Sequence, residues 1–187
     1  MAGRARPVIL AGERRLVVPG PLGDVLPGGG LQRGTVVAVD GSVGAGGTSL
    51  VLALLTAATA AGEWAAAVVD VEGSFGGLAA AETGVALERL AVVRLEGVER
   101  FAHVVATLLE GMTVVAATVP RQLRVAEARR LVARARERGS VLVAAGGWPG
   151  EAALRLRTEG TVWSGLGPGE GLLGPRTLRV TVAGRGV

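Results

Sequence analysis

VDGSVGAGGTSL, residues 39–50, decides how the rest of the chain is read. A phosphate-binding loop follows the pattern G-x-x-x-x-G-K-[ST], and Gly41, Gly46 and Thr48 stand at its first, sixth and eighth positions. The seventh, where a lysine reaches the β- and γ-phosphates, is Gly47. Gly44 and Ser49 complete a degenerate phosphate loop with no cation of its own. Just upstream, TVVAVD (35–40) is a β-branched apolar run, and just downstream SLVLALLTAATAAG (49–62) is helix-like. A glycine loop between a strand and a helix N-terminus directs backbone amides at one point and suits an anion. The same loop also serves as a tight strand-to-helix turn that binds nothing.

Outward from this unit the pattern repeats. AAVVDV (66–71), LAVVRL (90–95), TVVAAT (113–118) and SVLVAA (140–145) predict four more buried strands. Helical segments over 76–83, 98–110 and 121–138 alternate with them. Strands apolar on both faces, separated by helices, predict an α/β fold with a mainly parallel central sheet flanked by helices. After Trp148 the alternation stops. LRLRTEGTVWSG and TLRVTVAG alternate at period two, which predicts antiparallel edge strands at the C-terminal end, joined by the hairpin-like GLGPGEGLLGP. Residues 1–30 form a Gly/Pro-rich lead-in, and 1–187 reads as one domain.

Composition narrows the function classes. The 187 residues are 49% hydrophobic, contain no cysteine and offer no thiolate metal site or disulfide framework. All 20 basic residues are arginine, a bias expected of a high-G+C genome, and no lysine elsewhere can replace the one missing at Gly47. The net charge of +4 suits a nucleic-acid binder and an ordinary soluble protein equally. No apolar stretch is long enough to cross a bilayer, and MAGRARPVIL lacks the apolar core of a secretory signal, so a cytoplasmic protein without membrane contact is expected.

LPGGGLQRGTVVAVDGSVGAGGTSLVLALLTAATAAGEWAAAVVDVEG resembles the core of the RecA recombinase family, which carries GGLxxGxVVEIxGxxxSGKTT and then a strand ending in an acidic pair. The resemblance continues through TGVALERLAVVRLEG and resumes at LGPRTLRVTVAGRG, covering most of residues 15–185. It implies a RecA-like core. It also assigns the losses: Gly47 stands for the phosphate-loop lysine, and Ala116 for the Walker B aspartate that supports magnesium. Glu72 matches the glutamate that polarises the attacking water, here vestigial without a phosphate clamp to act with. No catalytic residue and no cofactor are therefore expected, and ATP binding is expected to be weak or absent. Only TVP and GGWPG stand where the family places its long DNA-binding loops.

Among RecA relatives, those lacking both the phosphate loop and the DNA loops are similar to ImuA-type mutagenesis proteins, here of the actinobacterial branch. That resemblance implies a non-catalytic scaffold of damage-induced translesion synthesis, with a Y-family polymerase homologue (ImuB-type), RecA and an error-prone polymerase as partners. A SulA-like cell-division inhibitor and a slow nucleotide-binding switch are the alternatives. RQLRVAEARRLVARARER (121–138) carries seven arginines, of which Arg130, Arg134 and Arg138 form a stripe. It is either a solvated helix packed on the sheet or a cationic surface for weak, sequence-indifferent DNA contacts or an acidic partner. Trp148, after the fifth strand, is expected as an exposed interface anchor. His103, on an apolar helix, is expected as a packed core or rim residue and not as a ligand or general base.

Overall fold

The computed structural model describes residues 15–42, 44–62, 66–71, 73–167, 169–172, 174–184 and 186. The lead-in forms β1 (Arg15–Val17), the short α1 (Pro21–Val25) and β2 (Gly30–Gln32), with β1 and β2 paired antiparallel. Next come β3 (Val36–Gly41), α2 (Gly47–Ala60), β4 (Ala66–Asp70), α3 (Gly77–Glu82) and β5 (Leu90–Arg94). They are followed by α4 (Phe101–Gly111), β6 (Val114–Thr118), α5 (Val125–Arg138) and β7 (Val141–Ala145). A β-rich end closes the chain: β8 (Leu154–Trp163), the small hairpin β9 (Leu166–Gly167) and β10 (Glu170–Gly171), and β11 (Arg176–Gly184).

Seven strands form the central sheet in the order β11-β8-β3-β7-β6-β4-β5. All neighbours are parallel except β11 and β8. The five predicted strands are present within a residue or so of their expected ends. One expectation is corrected: β8 is not an edge strand. It lies between β3, to which it is parallel, and β11, so of the two C-terminal strands only β11 is at a margin. Its alternation comes from having one helix-covered face, not from lying at an edge.

Two apolar layers cover the sheet. On one face α2 and α3, with β1 and β2, pack on Val37, Val39, Val114, Ala116, Val143 and Leu156. On the other, α4 and α5 pack on Val36, Ala38, Val115, Ala117, Leu142 and Ala144. Strict alternation along β3 and β6 thus feeds both layers from one apolar run. The helices reflect the same arithmetic. Phe101, Val105 and Leu109 place one buried stripe on α4, and Ala128, Leu131 and Ala135 do so on α5. Each fully buried leucine contributes roughly 1.5–3 kcal/mol. α5 starts four residues later than its arginine run suggests. The Glu127 carboxylate accepts the Arg124 N–H at 2.9 Å and caps the first turn, and Gly139 at φ 69° ends the helix.

Candidate functional site

The C-terminal ends of β3, β6 and β7 open on one side of the sheet. The chain leaves β3 for α2 on one face and leaves β6 for α5 on the other, and open α/β sheets hold ligands in such a crevice. The glycine loop sits there. β3 ends at Gly41, Gly46 adopts φ 94° as the N-cap of α2, and the Gly46 carbonyl accepts the Leu50 N–H at 3.1 Å. Two of the glycines are required by neighbours and not by a ligand. A Cβ on Gly41 would lie 2.0 Å from Thr158 Oγ1, and one on Gly46 would lie 2.6 Å from Leu178 Cδ1. Gly44, at φ 81°, and Gly47 face open space, so the missing lysine is not a steric exclusion.

A cavity of about 430 Å³ lies over this loop, lined by Asp40, Gly41, Gly44, Gly46, Gly47, Thr48, Ser49, Thr118, Ala145 and Arg176 among others. A second, of about 210 Å³, continues from it past Thr48, Ala116 and Thr118 to Asp70. Asp70 is buried at 3% exposure, and its two carboxylate oxygens accept the Ser74 and Phe75 N–H groups at 3.1 and 2.9 Å. It holds the turn after β4. Asp40 is committed too, accepting from Arg155 Nη1 at 3.2 Å.

The unexpected member is Arg176. From the start of β11 it donates through Nη2 to Ser49 Oγ, and its guanidinium lies 5.4 Å from the Trp163 ring centroid. An arginine thus reaches the loop that lacks a lysine. No local signal in the sequence marks it. Arg176 pairs with Trp163 in the β11–β8 register, and that ribbon must first fold over Gly46 before the side chain meets the loop. The arginine lies at the positive end of α2, where a cation balances no helix charge.

The donor set does not fit a magnesium nucleotide. Position 47 supplies no side chain, Ala116 supplies no carboxylate, and Asp70 is spent on backbone amides. Among the described residues no group of three or more His, Asp or Glu side chains could hold a metal. Glu72 lies outside the described residues.

The remaining candidates separate. Arg134 Nη1 lies 3.7 Å from Glu110 Oε1 and 3.2 Å from Glu137 Oε2, and Arg138 Nη2 lies 3.9 Å from Glu110 Oε1. Two of the three stripe arginines are therefore spoken for by carboxylates of α4 and α5. Arg130, Arg134 and His103 line a cavity of about 550 Å³ between the two helices, and His103 is exposed there and not packed in the core. Trp148 corrects its expectation. It is only 4% exposed, packs with α5 under the second apolar layer, and donates its indole N–H to the Glu151 carbonyl at 3.1 Å. A tryptophan in a short loop beside a small-residue helix face fills a gap instead of presenting itself. Among the described residues the exposed aromatic is Trp163.

No helix among the described residues is long and apolar enough to cross a membrane. Residues 24–150, from α1 to just before β8, match the MT3502 N-terminal domain. The chain is also similar to the uncharacterized protein Rv3395c of Mycobacterium tuberculosis (strain ATCC 25618 / H37Rv), at 38% identity over 149 residues, which is 78% of this chain and 69% of that protein. The chain belongs to the MT3502 N-terminal domain family.

Proposed function

We propose that this protein is a non-catalytic, RecA-like accessory protein of damage-induced mutagenesis, working through contacts with a Y-family polymerase homologue and RecA. The observation that carries the non-catalytic part is the crevice itself. The glycine loop joins a strand to a helix N-terminus, yet the seventh position of its pattern is Gly47 and Ala116 lies in the apolar layer beneath α2, where the proposed ancestry would place a magnesium-supporting carboxylate. Phosphoryl transfer depends on charge neutralisation and positioning, so losing both groups removes its main sources of rate. The strand-loop-helix unit, the mainly parallel sheet and the antiparallel C-terminal strands support the RecA-like reading. A relative in Mycobacterium tuberculosis is compatible with the actinobacterial ImuA-type branch.

Contacts between proteins have a candidate platform. The β8–β11 ribbon extends beyond the last β3 pairing; Val162 on it is 70% exposed, and Leu172, just after β10 in the connection between the two strands, is 88% exposed. Phosphate release with magnesium-ATP, with and without single-stranded DNA, tests the non-catalytic part. Background rates are expected, and turnover abolished by Glu72→Gln would overturn it. Co-purification with the ImuB-type polymerase homologue, set against the division GTPase, tests the partner assignment. A nucleotide-binding switch is the second reading, favoured by Arg176 beside Ser49. Micromolar ATP binding lost in Arg176→Ala would establish it over the first.

A further inference from the structure

We propose that β11 is a docking edge for an extended acidic peptide of a partner protein, which adds to the central sheet as an eighth strand. The inference rests on the reading that this protein works by protein contacts and names the surface and the partner's chemistry.

Three observations carry it. β11 is nine residues long and pairs only with β8, and among the described residues no backbone hydrogen bond reaches its other edge. The irregularity in the β8–β11 ladder does not interrupt that edge. Arg179 pairs with Gly160 and Val180 with Thr158, so the extra residue is Glu159 on β8, while β11 runs on without a break.

Beside the edge is a mainly apolar cavity of about 350 Å³. It is lined by Leu22 and Val25 of α1, Leu50 and Ala53 of α2, and Leu178 and Val180 of β11. No other strand contributes to its lining, so it lies over the sheet margin. Val25 at its rim is 53% exposed. Added strands gain affinity from main-chain hydrogen bonds and specificity from pockets that take alternate side chains. A free edge next to an apolar cavity supplies both.

Charge selects among peptides. β11 contains Arg176 and Arg179 and no acid. Arg179 is on the face away from the cavity, with Thr177 and Thr181, and the Glu159 carboxylate accepts from Thr181 Oγ1. A strand with apolar residues toward the cavity and carboxylates on the opposite face fits. Cross-strand pairs of opposite charge are favourable and pairs of like charge are not.

The probe is a capped hexapeptide alternating valine with glutamate, compared with its valine–lysine counterpart and with a copy N-methylated at alternate residues. Hydrogen exchange reports protection of β11 amides, and titration gives affinity. The valine–glutamate peptide is expected to protect Arg176–Gly184, and the N-methylated copy is not. Val25→Glu should weaken binding about tenfold by placing a charge at the cavity rim. Arg179→Glu should reverse the preference to the lysine peptide, by about threefold. No protection of β11 at millimolar peptide, equal binding of the N-methylated copy, or pairing of β11 with a second copy of this chain overturns the proposal. If the peptide adds to β11 while the polymerase homologue does not co-purify, the edge stands and that partner assignment falls. If co-purification succeeds and the peptide fails, the reverse holds.

Discussion

The glycine loop at the end of β3 and the arginine-rich flank of α5 are mirror cases. The loop lies at a helix N-terminus under an open cavity and brings no charge of its own, with no side chain at all at position 47. The flank of α5 has the charge, much of it already matched, because Glu110 and Glu137 sit within ion-pair distance of Arg134 and Arg138. Shape and charge are separate requirements, and a motif read from one predicts little about the other. The loop's glycines illustrate this. Gly41 and Gly46 have Thr158 and Leu178 against them, so packing accounts for glycine at two positions of the pattern without a ligand.

Substitutions can break or sharpen that contrast, and the largest effect should come from the residue that braces α5. Trp148→Ala is expected to cost about 3–5 kcal/mol in denaturant unfolding, as for other buried aromatics cut to alanine, whereas Trp163→Ala should cost under about 1 kcal/mol. Equal costs would mean that Trp148 is not packed as described. Gly46→Val comes next, at about 2–3 kcal/mol, since it combines a left-handed backbone with a collision against Leu178. Tolerance of valine there would separate the ribbon from the loop.

Glu110→Gln should be worth less than about 1 kcal/mol, because its pairs are half exposed and screened by solvent. Its informative readout is DNA retention at low salt. Freeing Arg138, and leaving Arg134 only its Glu137 partner, should raise weak, sequence-indifferent binding, and the triple change of Arg130, Arg134 and Arg138 to glutamate should remove it. Smallest of all is Gly47→Lys. With nothing within 4 Å of a Cβ at that site, stability should move by no more than about 0.5 kcal/mol. Calorimetry should show slightly better phosphate or ATP binding and phosphate assays no hydrolysis, since Ala116 still offers magnesium nothing. Hydrolysis restored by this single change would return the loop to the working nucleotide sites.

Much of the fold was legible because its signals are local. Strands β3 to β7 each begin as a short apolar run, and α4 and α5 each show their own stripe, so the strand-loop-helix unit around Gly41–Ser49 and the two-layer cover could be anticipated. The site was legible only in its absences, Gly47 and Ala116. Its additions come from sequence-distant partners. Arg176 reaches Ser49 across 127 positions, and Arg155 reaches Asp40 across 115. Trp148 failed for a related reason: a loop's length tells nothing about whether its aromatic turns in or out, which is decided by the alanines of α5. The edge role given to β8 failed because a one-faced strand inside a sheet and a strand at its margin share the same alternation.

The unpaired Glu159 in β8 has a consequence for how this family can diverge. Before it, Leu154, Leu156 and Thr158 face the α2 layer; after it, with Gly160 at φ 143°, Thr161 and Trp163 take that face. The bulge is therefore a phase marker in the reading of the strand. A single deletion on its distal side would exchange Trp163 for its neighbours and turn Val162 toward the loop, whereas paired insertions or deletions would keep the alternation. Lineages that retain the ribbon over the glycine loop are expected to vary in length here by even steps, with most of the variation around Glu170–Leu172, which are exposed.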